Sequence, residues 1–256
     1  MSNAGVVGDP KPRIVAVRDA TAPRSVRRQY VRFAFYKVAQ EWRKLPVEER
    51  KEQTSALSRL LEETAQRDGQ VLRTFSLVGT RGDADFMVWM VSDEMEGLHE
   101  FAAAVNRLDI AGYLSMPYHY FSMTKKSSYV EGHEHPGGEG HSNRMVILPT
   151  GRKYLFVYPF VKTRAWYRLP REARQAQMTE HIAMGHRYPG VKINTTYSFG
   201  LDDQEFVVAF ESDSVEDFLD LVQEMRESAA SEHTVRDVPS FTCILGEPKD
   251  VLDALG

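Results

Sequence analysis

Cysteine is almost absent: Cys243 stands alone in 256 residues. No internal disulfide can form, which suits a reducing compartment, and a cytoplasmic location is expected. Apolar runs fall far short of the roughly 18 residues a membrane helix needs. The first thirty residues, "MSNAGVVGDPKPRIVAVRDATAPRSVRRQY", contain no apolar core of a secretory signal. There is no basic excess either. The formal net charge is −4, from 32 Lys and Arg against 36 Asp and Glu, with no dominant block of one sign. A nucleic-acid phosphate binder needs a basic face, so that class is disfavoured. Gly-rich "HPGGEG" lacks a following Gly-Lys-Ser/Thr and is no P-loop. Neither a nucleophile elbow nor a dinucleotide-binding glycine fingerprint occurs. The hydrophobic fraction of 42% supports a sizeable core, as one large domain or two small ones.

What the sequence does contain is a repeat. "DADFMVWMVSDEMEGL" from Asp83 lies over "DQEFVVAFESDSVEDF" from Asp203 at an offset of 120, matching Phe86/Phe206, Val88/Val208, Ser92/Ser212, Asp93/Asp213 and Glu96/Glu216. "YVRFAFYKVAQEWRKLPVEER" from Tyr30 lies over "YLFVYPFVKTRAWYRLPREAR" from Tyr154 at an offset of 124, matching Trp42/Trp166, Leu45/Leu169, Pro46/Pro170, Glu48/Glu172 and Arg50/Arg174. Offsets that differ by four describe two copies of one unit with a loop-sized change between them.

Each copy reads alike. A strand (Tyr30–Val38; Tyr154–Lys162) leads through a Trp-bearing loop to a helix opened by Pro. Two strands follow, then a second helix capped near Ser92-Asp93 or Asp213-Ser214, then a closing strand ("PYHYFSMT"; "SFTCIL"). The order βαββαβ is the ferredoxin-like unit. The expected fold is α+β, two fused ferredoxin-like units of the dimeric α/β barrel type. The organisation predicted is an N-terminal extension (1–27), a first unit (28–124), a polar connection or flap (125–152) and a second unit (153–256).

Positions where the second copy breaks the pattern of the first are candidates for function. His181 aligns with Leu57 on the apolar face of a helix; Tyr158 aligns with Ala34 and Lys162 with Val38. Strand alternation puts Tyr154, Phe156, Tyr158, Phe160 and Lys162 on one side, and Pro159 implies an edge or bulge. Ordinary readings exist for each. A His on an apolar face is more often a hydrogen-bonded core residue, Tyr is common in strands, and Lys can snorkel. His133, His135 and His141 hint at a zinc or copper site, but without Cys or a second His pair a solvated loop is the simpler reading.

"YPFVKTRAWYRLP", "MTEHIAMGHRYPG" and "GLDDQEF", in that order, resemble the chlorite dismutase superfamily, and within it the coproheme decarboxylase branch, nearest its actinobacterial type. The resemblance is dense from Tyr154 to about Gly246 and weaker over Tyr30–Met123. It implies the fused ferredoxin-like fold reached above from the repeat. It also implies peroxide-dependent conversion of two propionates of Fe-coproporphyrin III (coproheme) to vinyls, giving haem b. In its terms His181 is the axial ligand of the haem iron, and Tyr158 is the tyrosine whose radical attacks the propionates. Lys162, Arg144 and Arg226 hold propionates, His141 is the distal acid–base group, and Tyr118 and Trp166 lie near the porphyrin. A homo-oligomeric ring, often a pentamer, and a coproporphyrin ferrochelatase as partner are further implications. Two departures stand out. The distal arginine of true chlorite dismutases is replaced in "VKINTT" by Ile193 or Asn194, and Lys162 is the firmicute choice in an otherwise actinobacterial set. A haem-binding protein without decarboxylase activity, or a haem-free module in which His181 is a core residue, remain the alternatives.

Overall fold

The computed structural model describes residues 27–129 and 145–256. Its first unit runs β1 (Tyr30–Val38), α1 (Val47–Ala65), β2 (Gln70–Ser76), β3 (Phe86–Ser92), α2 (Met95–Val105) and β4 (Leu114–Met123). The second runs β5 (Tyr154–Lys162), α3 (Arg164–Arg168), α4 (Arg171–Gly185), β6 (Val191–Tyr197), β7 (Phe206–Ser212), α5 (Val215–Glu227), β8 (Thr234–Arg236), β9 (Phe241–Gly246) and α6 (Pro248–Asp253).

The order of the first sheet is β4-β1-β3-β2, and β9-β5-β7-β6 repeats it in the second. β2 pairs with β9 through Thr74–Ser76, and β4 meets β6 at Met123↔Tyr197. Eight antiparallel strands therefore close into a barrel, which removes the open edges that either sheet would present alone. The β4–β6 seam is reinforced by side chains. Ser122 Oγ donates to Thr196 Oγ1 at 2.8 Å, and Asp202 Oδ2 accepts the Phe121 N–H at 2.7 Å.

Strand registers reproduce the repeat. Tyr30 faces Ser92 as Tyr154 faces Ser212, and Ala34 faces Val88 as Tyr158 faces Val208. Tyr158 thus occupies the position that Ala34 occupies in the first unit.

Several local expectations are refined. Pro46 and Pro170 stand at the N-caps, one residue before their helices, with extended ψ near 145°. The second helix of the first unit starts after Glu94 rather than at Ser92-Asp93, whereas Ser214 does cap α5, its Oγ accepting the Asp217 N–H at 3.0 Å. The Trp loop of the second unit winds into α3. Pro159 is not on an edge strand overall, since β5 pairs on both sides. It falls where the β9 ladder has ended at Val157 and the β8 ladder has not begun, and a ladder tolerates a missing N–H at such a gap.

Packing divides into a barrel interior and two outer layers. Phe33, Trp89, Leu155, Val207 and Cys243 are among the residues that fill the barrel from both units. Burial pushes the Cys243 thiol up, so this lone cysteine is a protonated core residue. β3, "FMVWMVS", is buried at every position because one face fills the barrel and the other meets helices. Outside the first sheet, α1, α2 and α6 close over seventeen buried residues, including Ala34, Val38, Leu57, Leu61, Val88 and Phe101. Outside the second sheet the matching cluster has four: Phe156, Val191, Phe210 and Leu221. Two copies of one framework differ in how far the helix layer is filled, and this difference locates the site.

Candidate functional site

The site lies between α4 and the outer face of β5, β7 and β6. α1 buries six residues against its sheet, whereas α4 buries none. α4 leans on α5 and on the turn Ala229–His233 rather than on the strands. Where the strands turn toward α4 they present Tyr158, Phe206, Val208 and Tyr197, each half-buried, and the exposed Ile193. Ile193 is 42% exposed. In the first unit, Leu57 and Leu61 fill the same space and leave no room for a water molecule.

Three buried polar atoms on α4 lack partners: Arg174 Nε, which Arg50 Nε matches on α1, then Gln177 Oε1 and, one turn later, His181 Nδ1. The first-unit counterpart of Gln177 is satisfied, since Gln53 Oε1 accepts the Trp42 indole N–H at 3.0 Å. Buried polar atoms are nearly always bonded, so orphans on one helix face mark a place that expects a ligand or a functional strain. Burial first, and the charge of Lys162 second, hold His181 below the usual imidazole range. His181 is therefore neutral at pH 7 and keeps a nitrogen lone pair for a metal.

Lys162 is fixed from several directions. Its backbone N–H donates to Glu205 Oε2 at 2.9 Å, and its Nζ donates to the Ala230 carbonyl at 2.6 Å. The ammonium stands 4.7 Å from the Trp166 ring centre and 5.2 Å from that of Phe160. Desolvation lowers its pKa to about 8. Glu205 also accepts from the Tyr167 hydroxyl at 2.5 Å. Asp85 does the corresponding work in the first unit, accepting the Val38 N–H at 2.8 Å. The acid is thus a structural clamp common to both copies, and the lysine alone is the novelty of the second. Trp166 is buried and packs on Lys162, Tyr129 (6.3 Å) and His233 (5.4 Å).

Tyr158 stacks on Phe210 with ring centres 5.7 Å apart. Its hydroxyl makes no hydrogen bond to another described residue. Burial chiefly, and Asp237 in addition, hold the phenol well above its usual range, with Arg226 acting the other way. Arg226 pairs with Asp237. Lys162 packs on Trp166 and its charge acts on His181, and the charge of Arg226 acts on Tyr158, so an aromatic and aliphatic sheet face, a neutral imidazole and two cations belong to the same side of the second unit. That combination fits a flat apolar ligand carrying a metal and carboxylates.

Other candidates fall elsewhere. Tyr118 points into the barrel end, donating to Asp83 Oδ2 at 2.5 Å beside Arg81; no contact among the described residues brings it to the slot. Of the two residues at the distal position, Ile193 faces the slot, while Asn194 turns into the barrel and donates to Glu211 Oε1 at 3.0 Å. His141 and Arg144, with His133 and His135, lie outside the described residues. Among the described residues no cluster of three or more His, Cys, Asp or Glu is placed to hold a bare metal ion, and no helix is long and apolar enough to cross a membrane. Asp237 was not singled out from the sequence. Its signal, a carboxylate where the repeat has Pro117, is visible only once the strand positions are known.

Comparison with known proteins identifies the family. A family model described as chlorite dismutase matches residues 50–246. The coproheme decarboxylase of Mycolicibacterium smegmatis is 32% identical over 178 residues, covering 68% of this chain and 73% of that protein. An arginine-to-lysine variant of the chlorite dismutase from Candidatus Nitrospira defluvii superposes with a TM-score of 0.78 at 26% identity, covering 88% of this chain and 94% of that one. The same dismutase in complex with imidazole gives 0.77 at 25% identity and the same coverage. With the repeat, the closed barrel and the single depleted helix layer, these matches show that the chain belongs to the chlorite dismutase family.

Proposed function

We propose that the protein is a coproheme decarboxylase: it binds Fe-coproporphyrin III in the slot under α4 and converts two propionates to vinyls with hydrogen peroxide, giving haem b. The family includes haem-dependent enzymes, and a haem-type ligand accounts for the slot. The observation that carries the reading is the replacement of Leu57, Ala34 and Val38 by His181, Tyr158 and Lys162 on an otherwise repeated frame, with the helix layer left unfilled around them.

Each side chain has a task that its environment supports. His181, neutral and with a partnerless ring, holds the iron. Lys162 and Arg226 take carboxylates, the first as a point charge and the second in a bidentate fork. Ile193 presents hydrocarbon where a chlorite dismutase places an arginine, so the wall offers no cation to steer chlorite. His141 is the distal acid–base group that the resemblance supplies. The porphyrin iron, oxidised by peroxide, supplies the oxidising equivalents. Tyr158 delivers them to the substrate. Burial keeps its O–H intact, so it gives up proton and electron together, and the oxygen then takes a hydrogen atom from a propionate β-carbon. Loss of CO₂ and one further electron leaves the vinyl. Per propionate, one peroxide is consumed and one CO₂ and two waters are released. Mass spectrometry of the tetrapyrrole after peroxide is added to the coproheme complex tests this, since the expected loss is two CO₂ and four hydrogen atoms. Unchanged coproheme, with peroxide consumed, would leave a haem-binding protein without this activity.

The lowered pKa of Lys162 adds a pH signature. A carboxylate binds the ammonium form, and in the free protein that form is lost as pH rises through about 8. Bound carboxylate raises the pKa again. Coproheme affinity is therefore expected to be flat below pH 8, then to fall about tenfold per unit until the pKa of the complex is reached, with proton uptake on binding. Absorbance titrations from pH 7 to 10 measure this. Lys162→Arg is expected to remove the fall, and a wild-type slope persisting in Lys162→Gln would take the lysine out of the binding step.

A further inference from the structure

The last strand of the second unit is broken where its counterpart runs on as one strand, with only a register shift between Phe35 and Lys37. β4 runs from Leu114 to Met123 beside β1. In the second unit β8 pairs with Val161 and Lys162, β9 pairs with Tyr154–Val157, and residues 237–240 bypass the interval between them. That interval is Tyr158, Pro159 and Phe160. The bypass therefore passes alongside the tyrosine, and its first residue, Asp237, forms an ion pair with Arg226 at the end of α5.

The pair belongs to the second unit alone. An offset of 120 relates the turns Asp109–Tyr113 and Ala229–His233 and the strand starts Leu114 and Thr234. At the same offset Arg226 falls on Asn106 and Asp237 on Pro117, so neither charge has a first-unit equivalent. The two partners are unequally accessible. The Arg226 side chain is 59% exposed and that of Asp237 is 19% exposed. After burial, the influences on the Tyr158 phenol are Asp237, which raises its pKa, and Arg226, which lowers it. A carboxylate paired to a guanidinium that receives carboxylates repels them unless the shared guanidinium changes hands.

We propose that Asp237 is a specificity-determining residue, an internal competitor that holds Arg226 in the free protein and yields it to a ligand carboxylate. This rests on the reading of Arg226 as a carboxylate-binding residue of the slot. Asp237 then weakens capture of polycarboxylates in general, and Arg226 returns to it when a carboxylate is lost from the ligand. A residue that merely orients Arg226 would have the opposite effect on affinity.

The test uses the full chain and two readouts. Phenylglyoxal labelling followed by peptide mass spectrometry reports access to the Arg226 guanidinium with no porphyrin present. Titration with metal-free coproporphyrin III, followed by its fluorescence, reports capture of a tetracarboxylate. Asp237→Asn is expected to label several-fold faster at Arg226 and to bind coproporphyrin about five-fold more tightly, the scale of a partly exposed ion pair. The tightening is expected to vanish in the Arg226→Gln background. Unchanged labelling, or weaker binding by Asp237→Asn, overturns the competition. Faster labelling with no coproporphyrin bound by either protein overturns the porphyrin reading of the slot, and with it the selectivity role, while leaving the ion pair itself in place.

Discussion

Replacing His181 with leucine is expected to stabilise the ligand-free protein and to abolish its ability to ligate haem iron. Leu57 stands at the same position of the first unit, 2% exposed and packed in a filled layer. The leucine removes a buried nitrogen that has no hydrogen-bond partner, an atom whose desolvation costs about 1–3 kcal/mol. Against that gain the unfilled layer limits new packing, so the net expectation is about 1 kcal/mol, or roughly 2–4 °C in Tm for a chain of this size. A hydrogen-bonded core histidine would respond in the reverse direction, because its partner would be orphaned by the change. Reconstituted with coproheme, His181→Leu is expected to show an altered ferric absorption spectrum and weakened binding, since the iron loses its bond to the protein. His181→Ala should share the spectral change without the gain in stability. An unaltered spectrum and affinity in both variants would remove the axial assignment.

The opposition between stability and ligation explains what was legible in the sequence. Apolar periodicity and the two offsets dictate the βαββαβ order and the pairing of Ala34 with Tyr158, because strand register is fixed by which face must be buried. Those constraints act on neighbouring residues and survive in a single sequence. They also make substitutions stand out, since a histidine or lysine in a core register must have its burial offset by something. His181, Tyr158 and Lys162 were visible for that reason.

What was not legible depends on interactions across the repeat or on strand breaks. Nothing in "HTVRDVPSFTCIL" announces that the closing strand is interrupted opposite Tyr158, because the Val and Thr content suits a continuous strand. The interruption follows from a change of one in the offset, from 120 at Leu114/Thr234 to 121 at Tyr120/Phe241, which barrel closure then resolves into β8, a bypass and β9. The choice between Ile193 and Asn194 was hidden for a related reason. It turns on which alternate face of β6 looks into the barrel, and Glu211, whose carboxylate takes Asn194 Nδ2 and the Thr150 N–H, decides it. Tyr118 illustrates the converse. Its strand is well predicted, but its direction is set by Asp83 and Arg81 at the barrel end, away from the slot.

Tyr158→Phe is expected to bind coproheme, to consume peroxide, and to release neither a three-propionate intermediate nor haem b. The substitution keeps the ring and its stacking on Phe210. The hydroxyl has no hydrogen-bond partner among the described residues, so the folded protein is expected to change by less than about 0.5 kcal/mol, the level of an ordinary surface substitution. Thermal unfolding of the ligand-free variant therefore supplies a control that separates loss of chemistry from loss of structure. Ala34 occupies the position in the first unit and is fully buried, so a phenol is not demanded by the framework. Its demand must come from the slot. A hydroxyl held protonated by burial is poorly suited to act as a phenolate nucleophile or base at neutral pH, and well suited to exchange a hydrogen atom. Removing that hydrogen atom leaves the oxidising equivalents without an outlet to the propionate, and peroxide is then spent without decarboxylation. Product analysis by mass spectrometry after addition of a stoichiometric amount of peroxide distinguishes the cases. Haem b formed by Tyr158→Phe at the wild-type rate would refute the role of the tyrosine, while the binding of porphyrin between α4 and the sheet would stand or fall separately with His181.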